Sequence, residues 1–274
     1  MSGKLYVVGT PIGNLSDFSP RAIETLQNAD FIAAEDTRVT VKLLNHFGIS
    51  KPMLAYYEHN KKERGGDVIA RLLGGENCAL VSDAGMPAIS DPGEDLVAMA
   101  YEYGIEVESV PGPSALITAL AISGMKSGRF CFEGFLSVNK PSRRAHLNEV
   151  KKEKRTMIFY EAPHKLPATL KDMFEAFGNR KLAIVRELTK LHEEVIHTTL
   201  QEAKDMYNEE HKPRGEYVLI IEGYDDSNDK EYTFSSAVEL AKSLVKEGNS
   251  ASSAAKLAAS ETGFKKGEIY KSLL

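Results

Sequence analysis

Gly9-Thr10-Pro11-Ile12-Gly13-Asn14, Ser82-Asp83-Ala84-Gly85-Met86-Pro87 with Asp91-Pro92-Gly93 behind it, and Pro111-Gly112-Pro113-Ser114-Ala115 each follow a short apolar run. A strand that gives way to a small-residue loop and then a helix leaves backbone N–H and C=O groups without partners at one edge of a sheet. Three such loops on one edge make a wall of backbone polarity suited to a small polar ligand. Asp83 adds a carboxylate beside bare N–H groups, which suits a zwitterion carrying an ammonium. Ser114-Ala115 opens a helix, where N–H groups and the helix dipole meet an anionic or hydroxyl group. In any one loop, glycine and proline could serve turn geometry alone; three together point to a binding site. The spacing is not G-x-G-x-x-G and no lysine stands where a phosphate-cradling loop needs one, which disfavours nucleoside triphosphates and dinucleotides.

Two pairs of titratable residues are placed to handle a proton. Glu35-Asp36 follow the apolar run Phe31–Ala34 on the same predicted edge as the loops, and Glu187 with Lys190 follow the run Leu182–Arg186. The alternative for Glu35-Asp36-Thr37-Arg38 is a helix N-cap with local ion pairing. A third cluster is basic: Lys140, Arg143, Arg144, Lys151, Lys152, Lys154 and Arg155, against Glu149 and Glu153. It reads either as a solvated helix face or as a phosphate-binding stripe.

The elements that must position these residues alternate. Strands are expected at Leu5–Val8, Phe31–Ala34, Ala79–Val81 and Val107–Val110. Helices are expected from Pro20 to Asn28 behind an N-capping Ser19, then at Thr40–Phe47, Lys61–Leu73, Glu94–Tyr103 and Ser114–Ile122. Near-continuous apolar strands between helices predict a mostly parallel sheet covered on both faces. From Gly124 the texture changes to five strands, at Phe130–Phe135, Met157–Tyr160, Leu182–Arg186, Val195–Thr199 and Tyr217–Ile221. Helices at Arg144–Lys152, Leu166–Phe177 and Glu202–Glu209 are interleaved, giving a second α/β unit with room for antiparallel pairing. The expected division is therefore 1–123, 124–223, an acidic linker at 224–233, and three short amphipathic helices in 234–274. The last two of these helices match a helix-turn-helix in outline.

The 274 residues carry a net charge of −5, which argues against non-specific grip on nucleic acid by the whole molecule. No apolar run approaches the length of a membrane span. Met1-Ser2-Gly3-Lys4 leads directly into a strand, so no signal peptide is expected. Cys78 and Cys131 sit alone in strand-like runs and the seven histidines lack ligand spacing. A reduced, cytoplasmic, metal-free protein is expected.

Taken in order, Gly9-Thr10-Pro11-Ile12-Gly13-Asn14-Leu15 with Arg21-Ala22, Ala34-Glu35-Asp36-Thr37-Arg38, the run Ser82–Gly93 and Val110–Ala115 resemble the tetrapyrrole-methylase superfamily of S-adenosylmethionine-dependent methyltransferases. Within it they resemble the branch of ribosomal RNA small-subunit methyltransferase I. Arg186-Glu187-Leu188-Thr189-Lys190, His192-Glu193-Glu194 and Pro213-Arg214-Gly215-Glu216-Tyr217 fit the same branch. Gly134-Phe135-Leu136 fits too, with Ser137 at a position where proline is expected.

The resemblance implies two α/β domains of the class III methyltransferase type with S-adenosylmethionine in the cleft between them, and a homodimer. It implies 2′-O-methylation of a cytidine in the decoding region of 16S rRNA, on the RNA or the small ribosomal subunit. Carried over position by position, Pro11, Ser82, Asp83, Ala84, Gly85, Ile89, Ser114 and Ala115 would touch cofactor from the first domain. Tyr160, Glu161, Pro213 and Gly215 would close over it from the second. Glu35 and Asp36 are the first candidates for the base that takes the ribose proton, with Glu187 and Lys190 next. Arg21, Arg38 and Lys190 would position phosphates, and Lys140, Arg143 and Arg144, with the terminal helices, would extend the RNA track. Two other readings remain open: methylation of a tetrapyrrole carbon, and a non-catalytic RNA-binding or ribosome-assembly factor.

Overall fold

The computed structural model describes residues 2–207, 213–226 and 233–273. Their contacts fall into two compact units, Met1–Tyr224 and Asp225–Leu274. The first holds two five-stranded sheets, and the second is helical.

The first sheet contains β1 (Lys4–Val8), β2 (Phe31–Ala34), β3 (Met53–Ala55), β4 (Cys78–Val81) and β5 (Glu106–Val110). All pairings are parallel, in the order β3-β2-β4-β1-β5. Helices α1 (Pro20–Asn28) and α2 (Thr37–His46) belong to one face, where Leu26 and Leu44 pack with Val8, Ile32 and Val81. Helices α3 (Lys61–Leu73) and α4 (Gly93–Glu102) cover the other, where Leu72 and Leu96 meet Leu5, Phe31 and Leu80. Each of these leucines is at most 2% exposed, and such burial is worth about 1.5–3 kcal/mol apiece. Local chemistry sets the helix starts. The Ser19 hydroxyl accepts from the Ala22 N–H at 3.1 Å with Pro20 at the first helical position. Strand β3, which the sequence pattern missed, is three residues long and sits at the sheet edge.

The second sheet runs β6-β7-β10-β8-β9, from β6 (Phe130–Phe135), β7 (Thr156–Glu161), β8 (Lys181–Arg186), β9 (Glu194–Thr199) and β10 (Tyr217–Ile221). Strand β6 is parallel to β7; the other three pairings are antiparallel. Helices α6 (Lys140–Glu149), α7 (Leu166–Phe177) and α8 (Leu200–Met206) cover one face. The other face is covered by α5 (Ala115–Ile122), whose Leu116, Ala119 and Leu120 pack on Ile158, Val218 and Ile220. The boundary expected after residue 123 thus divides the chain differently from its packing. Helix α5 follows the last strand of the first sheet but spends its apolar side on the second, and it ties the two sheets together.

The second unit contains α9 (Phe234–Lys246), α10 (Ala251–Thr262) and α11 (Lys266–Lys271). Ala237, Ala241, Ala255 and Ala258 form its buried seam with Ile269, and small side chains let the helices approach closely. The linker expected at 224–233 falls mainly at 227–232, and the end of the helix expected at Glu202–Glu209 at 208–209, both outside the described residues.

The first and third loops cross at two glycines. A Cβ on Gly112 would lie 2.9 Å from the Cα of Gly9, and one on Gly9 would lie 2.7 Å from the Cα of Gly112. Backbone cannot yield as a flexible side chain can. Gly112→Ala is expected to cost roughly 1–3 kcal/mol in urea unfolding. Gly66→Ala, in the interior of α3 with nothing within 4 Å of the added carbon, is expected to stabilise by about 0.5–1 kcal/mol.

Candidate active site

Strands β4, β1 and β5 are neighbours, so the loops that leave their C-terminal ends are neighbours too. The loops after β1 and β4 are joined beyond the sheet by an isolated antiparallel bridge: the Thr10 N–H donates to the Gly85 carbonyl at 2.9 Å and the Gly85 N–H returns to Thr10 at 3.1 Å. The Gly112 N–H reaches the Met86 sulfur at 3.2 Å. These loops form one wall of a cleft of about 460 Å³, and the ends of β6, β7, β8 and β10 form the facing wall. A volume in the range of about 300–1,000 Å³ is usual for small-molecule sites.

Ser82, Asp83, Ala84, Gly85, Ile89, Ser114 and Ala115 line the cleft from the first sheet, and Tyr160 and Glu161 from the second. Pro11, Pro213 and Gly215 are not among the lining residues; Ile12, Glu216 and Tyr217, next to them in sequence, are. Met86, Asp91, Phe135, Val185, Leu188 and Val218 also line it and were missed. Phe135 carried a signal: an aromatic ending a strand, here 54% exposed. Val185 and Val218 read as ordinary strand apolars, and nothing in their type marks them.

Of the four residues expected to move a proton, Glu35 alone lines the cleft. Its carboxylate accepts the Asp83 N–H at 3.4 Å, and the Asp83 carboxylate accepts the Asp36 N–H at 3.0 Å. Burial raises Glu35 above the usual carboxylate range, against that hydrogen bond, and the charges of Asp83, Asp91 and Asp36 add to the rise. Asp83 is raised mainly by burial as well. Neither makes an ion pair among the described residues.

Asp36 is different. It caps α2 by accepting the Arg38 N–H at 2.8 Å, and its carboxylate holds the Arg38 guanidinium at 2.6 Å. Those bonds depress it to about 2, which makes it a poor base. The base expected at Asp36 is therefore corrected: this residue is a helix cap, and Glu35 faces the cleft.

Glu187 and Lys190 pair with each other. The Lys190 ammonium lies 2.9 Å from Glu187 and 2.8 Å from Glu216, and it holds the Glu187 carboxyl below its usual range. The Glu187 carboxylate also accepts the Glu216 N–H at 3.0 Å. Gly215 serves this knot, because a Cβ there would lie 2.5 Å from the Glu187 carboxylate. Glu161 is 2% exposed, and its carboxylate is spent on the Thr169 hydroxyl at 2.5 Å and the Lys165 ammonium at 2.9 Å. It braces the wall rather than offering a free charge.

The basic stripe does not form one surface. Arg143 is 7% exposed; its guanidinium is bound to Asp172 at 2.7 Å and to the carbonyls of Ser137 and Val138. Arg144 joins Asp172 at 2.8 Å and Glu175 at 2.5 Å. Lys151–Arg155 precede β7, whose far end carries Tyr160 and Glu161, so a strand length of roughly 20 Å separates them from the cleft. RNA contacts expected at Arg143 and Arg144 are corrected accordingly: α6 uses them to hold α7. Lys140, at the start of α6, is exposed, as are Arg21 and the Arg38 side chain.

Among the described residues no group of three or more His, Cys, Asp or Glu is placed to hold a metal ion. None of their helices is long and apolar enough to cross a membrane. Cys78 and Cys131 are free thiols pushed up to about 12, chiefly by burial. Arg143→Ala tests the α6 assignment. It leaves the 3%-exposed Asp172 with Arg144 as its remaining partner and is expected to cost stability toward the lower end of about 3–5 kcal/mol. The salt dependence of RNA binding is expected to stay as in the unsubstituted chain.

The model of the family of tetrapyrrole (corrin/porphyrin) methylases matches residues 4–204. The chain is 47% identical to a ribosomal RNA small subunit methyltransferase I from a Synechocystis species, over 98% of this chain and 96% of that one. It is 48% identical to the protein of the same name from Thermotoga maritima, over 81% of this chain and 99% of that one. Among solved structures, uroporphyrin-III C-methyltransferase from Thermus thermophilus superposes with a TM-score of 0.56, at 17% identity, over 80% of this chain and 94% of that one. At that identity the likeness concerns the fold. The loops after β1, β4 and β5 on a parallel sheet, a mixed second sheet facing them, and near-half identity over 98% of the chain agree: the chain belongs to the tetrapyrrole methylase family and, within it, to the ribosomal RNA small subunit methyltransferase I group.

Proposed function

We propose that this protein methylates small-subunit ribosomal RNA with S-adenosylmethionine, at the ribose 2′-oxygen of a cytidine in the decoding region of 16S rRNA. The relatives' names support the RNA, and a structure of the Thermus C-methyltransferase complexed with S-adenosylhomocysteine supports the cofactor class. The observation that carries the reading is electrostatic. Glu35, half-buried, and Asp83, exposed, both line the cleft and form no ion pair among the described residues, and both are raised above the ordinary carboxylate value, chiefly by desolvation. A ligand bearing positive charge supplies what they lack. Backbone groups of the three loops and the Ser114 hydroxyl, which makes no capping bond, complete a site for an amino acid conjugate. Methylation of a tetrapyrrole carbon has support from the fold alone.

S-adenosylmethionine brings a methyl group already activated on a sulfonium. In the transfer a C–O bond forms as the C–S bond breaks, and the hydroxyl proton must leave. Glu35 takes that proton; its raised affinity for protons suits it better than an ordinary carboxylate. The two walls align the acceptor with the donor, the larger part of the acceleration in a displacement with a good leaving group. Asp83 answers the positive charge. Arg21, Arg38 and Lys140, exposed on the surface, supply phosphate contacts that position the RNA. The reading extends to a cytoplasmic homodimer, which sedimentation of the purified chain tests.

The direct experiment incubates the chain with methyl-labelled S-adenosylmethionine and small ribosomal subunits or their RNA. A single ribose-methylated cytidine in the digested RNA is the expected result, and no transfer to RNA overturns the reading. Glu35→Gln is expected to lower kcat about a hundredfold and to abolish the limb of the pH profile on which kcat rises as Glu35 ionises. Asp36→Asn is expected to stay within severalfold. A second expectation concerns charge. Asp83 is ionised only above its raised pKa, so the preference for the sulfonium cofactor over its neutral thioether product should grow with pH through that range. In Asp83→Asn that pH dependence should flatten in calorimetric titrations.

A further inference from the structure

Helix α5 begins with a serine at the position where serine is usually the cap, yet the Ser114 side chain makes no capping bond. The second N–H of the helix, that of Leu116, donates instead to the Tyr160 phenol oxygen at 3.0 Å. This cap comes from the other sheet. Tyr160 is held in place by two rings on β6, with centroids 4.8 Å away for Phe132 and 5.4 Å for Phe135. Ser114 keeps the extended backbone of an N-cap residue, φ −137° and ψ 114°, so a rotation about χ1 could restore the usual bond. Ser114 and Tyr160 both line the cleft.

We propose that Tyr160 is a positioning residue: it caps α5 in place of Ser114 and so reserves the Ser114 hydroxyl for the ligand. The Leu116 N–H needs one acceptor, and an N-cap serine hydroxyl ordinarily accepts from the second or third N–H of its helix. With the phenol on the second, the serine hydroxyl makes no bond to the helix and is free to meet a polar group of the cofactor. Remove the phenol oxygen, and an unsatisfied N–H at the helix end draws Ser114 back to the cap. The closing of one sheet on the other is thereby coupled to the readiness of the binding site. The identity of the ligand rests on the cofactor proposed above; the exchange of caps does not.

Four proteins test it: the unsubstituted chain, Tyr160→Phe, Ser114→Ala and the double variant. In the ligand-free state Ser114→Ala alone is expected to leave the thermal midpoint unchanged, because its hydroxyl caps nothing. In the Tyr160→Phe background the same substitution is expected to lower the midpoint by about 2–4 °C, the loss of a cap that has moved to Ser114. Equal shifts in the two backgrounds overturn the proposal. Calorimetry with S-adenosylhomocysteine is expected to show about fivefold weaker binding for either single variant and no further loss for the double variant. Losses that multiply, to about 25-fold, would mean that Tyr160 acts on the ligand directly and would overturn the reserved role. If the unsubstituted chain does not bind S-adenosylhomocysteine, the cofactor reading fails while the thermal cycle still decides on the cap.

Discussion

The two hydrogen bonds between Thr10 and Gly85 hold the site together. They form an isolated antiparallel bridge past the ends of the parallel strands β1 and β4, so the first two loops stay paired where they would otherwise splay. The glycine crossing at Gly9 and Gly112 then lays the third loop against the first at van der Waals distance. One wall of the cleft is thus mostly backbone in fixed positions, and little ordering remains to be done when a ligand arrives. Side chains of Ser82, Asp83 and Ser114 stand on that wall as the adjustable part.

Charge is distributed around the cleft with a clear contrast. Asp91 spends its carboxylate on the N–H groups of Ala88, Ile89 and Gly93, at 3.0, 3.3 and 2.8 Å. Those contacts hold Ala88 and Ser90 in left-handed backbone conformations, φ 65° and 70°, a strain that only a well-bonded loop sustains. Asp172 takes two arginines, Glu161 a lysine and a threonine, and Asp36 an arginine. Glu35 and Asp83 receive backbone N–H groups and form no ion pair among the described residues, with the charge of Arg38 reaching Asp83 only from beyond contact. The cost of holding Glu35 half-buried is recovered when a cation enters.

Much of this was legible in the residues. Ser19-Pro20 fixed the start of α1, and the expected bounds of α1, α3, α7, β2, β6 and β10 coincide with those observed. Loops rich in glycine and proline located the cleft because those residues are required where backbones nearly touch. What stayed hidden depends on partners far off in the chain. Arginine type does not reveal whether a guanidinium faces water or, like Arg143, an aspartate 29 residues away. Helix α5, apolar around most of its circumference, could have covered either sheet. Helix α6 starts at Lys140, four residues earlier than expected, because the Asn139 side chain accepts the Ser142 N–H at 3.1 Å and Pro141 fits the first turn. Glu35 and Asp36 are adjacent and chemically alike, and only the turn of the chain into α2 decides which faces the cleft.

The division of the chain bears on how chemistry and substrate choice are shared. Every residue lining the cleft lies at or before Val218, within the first compact unit. The Thermotoga relative is matched over 99% of its length by 81% of this chain, a share comparable to that unit. Helices α9, α10 and α11 close an alanine seam on themselves and form a small core of their own. A module with its own core can change surface residues without disturbing the geometry of methyl transfer. The first unit is constrained at the backbone, by the Thr10–Gly85 bridge and by a glycine crossing that tolerates no side chain; the second keeps small residues on its inner faces. Variation can accumulate on the surface of such a module while the cleft stays as it is.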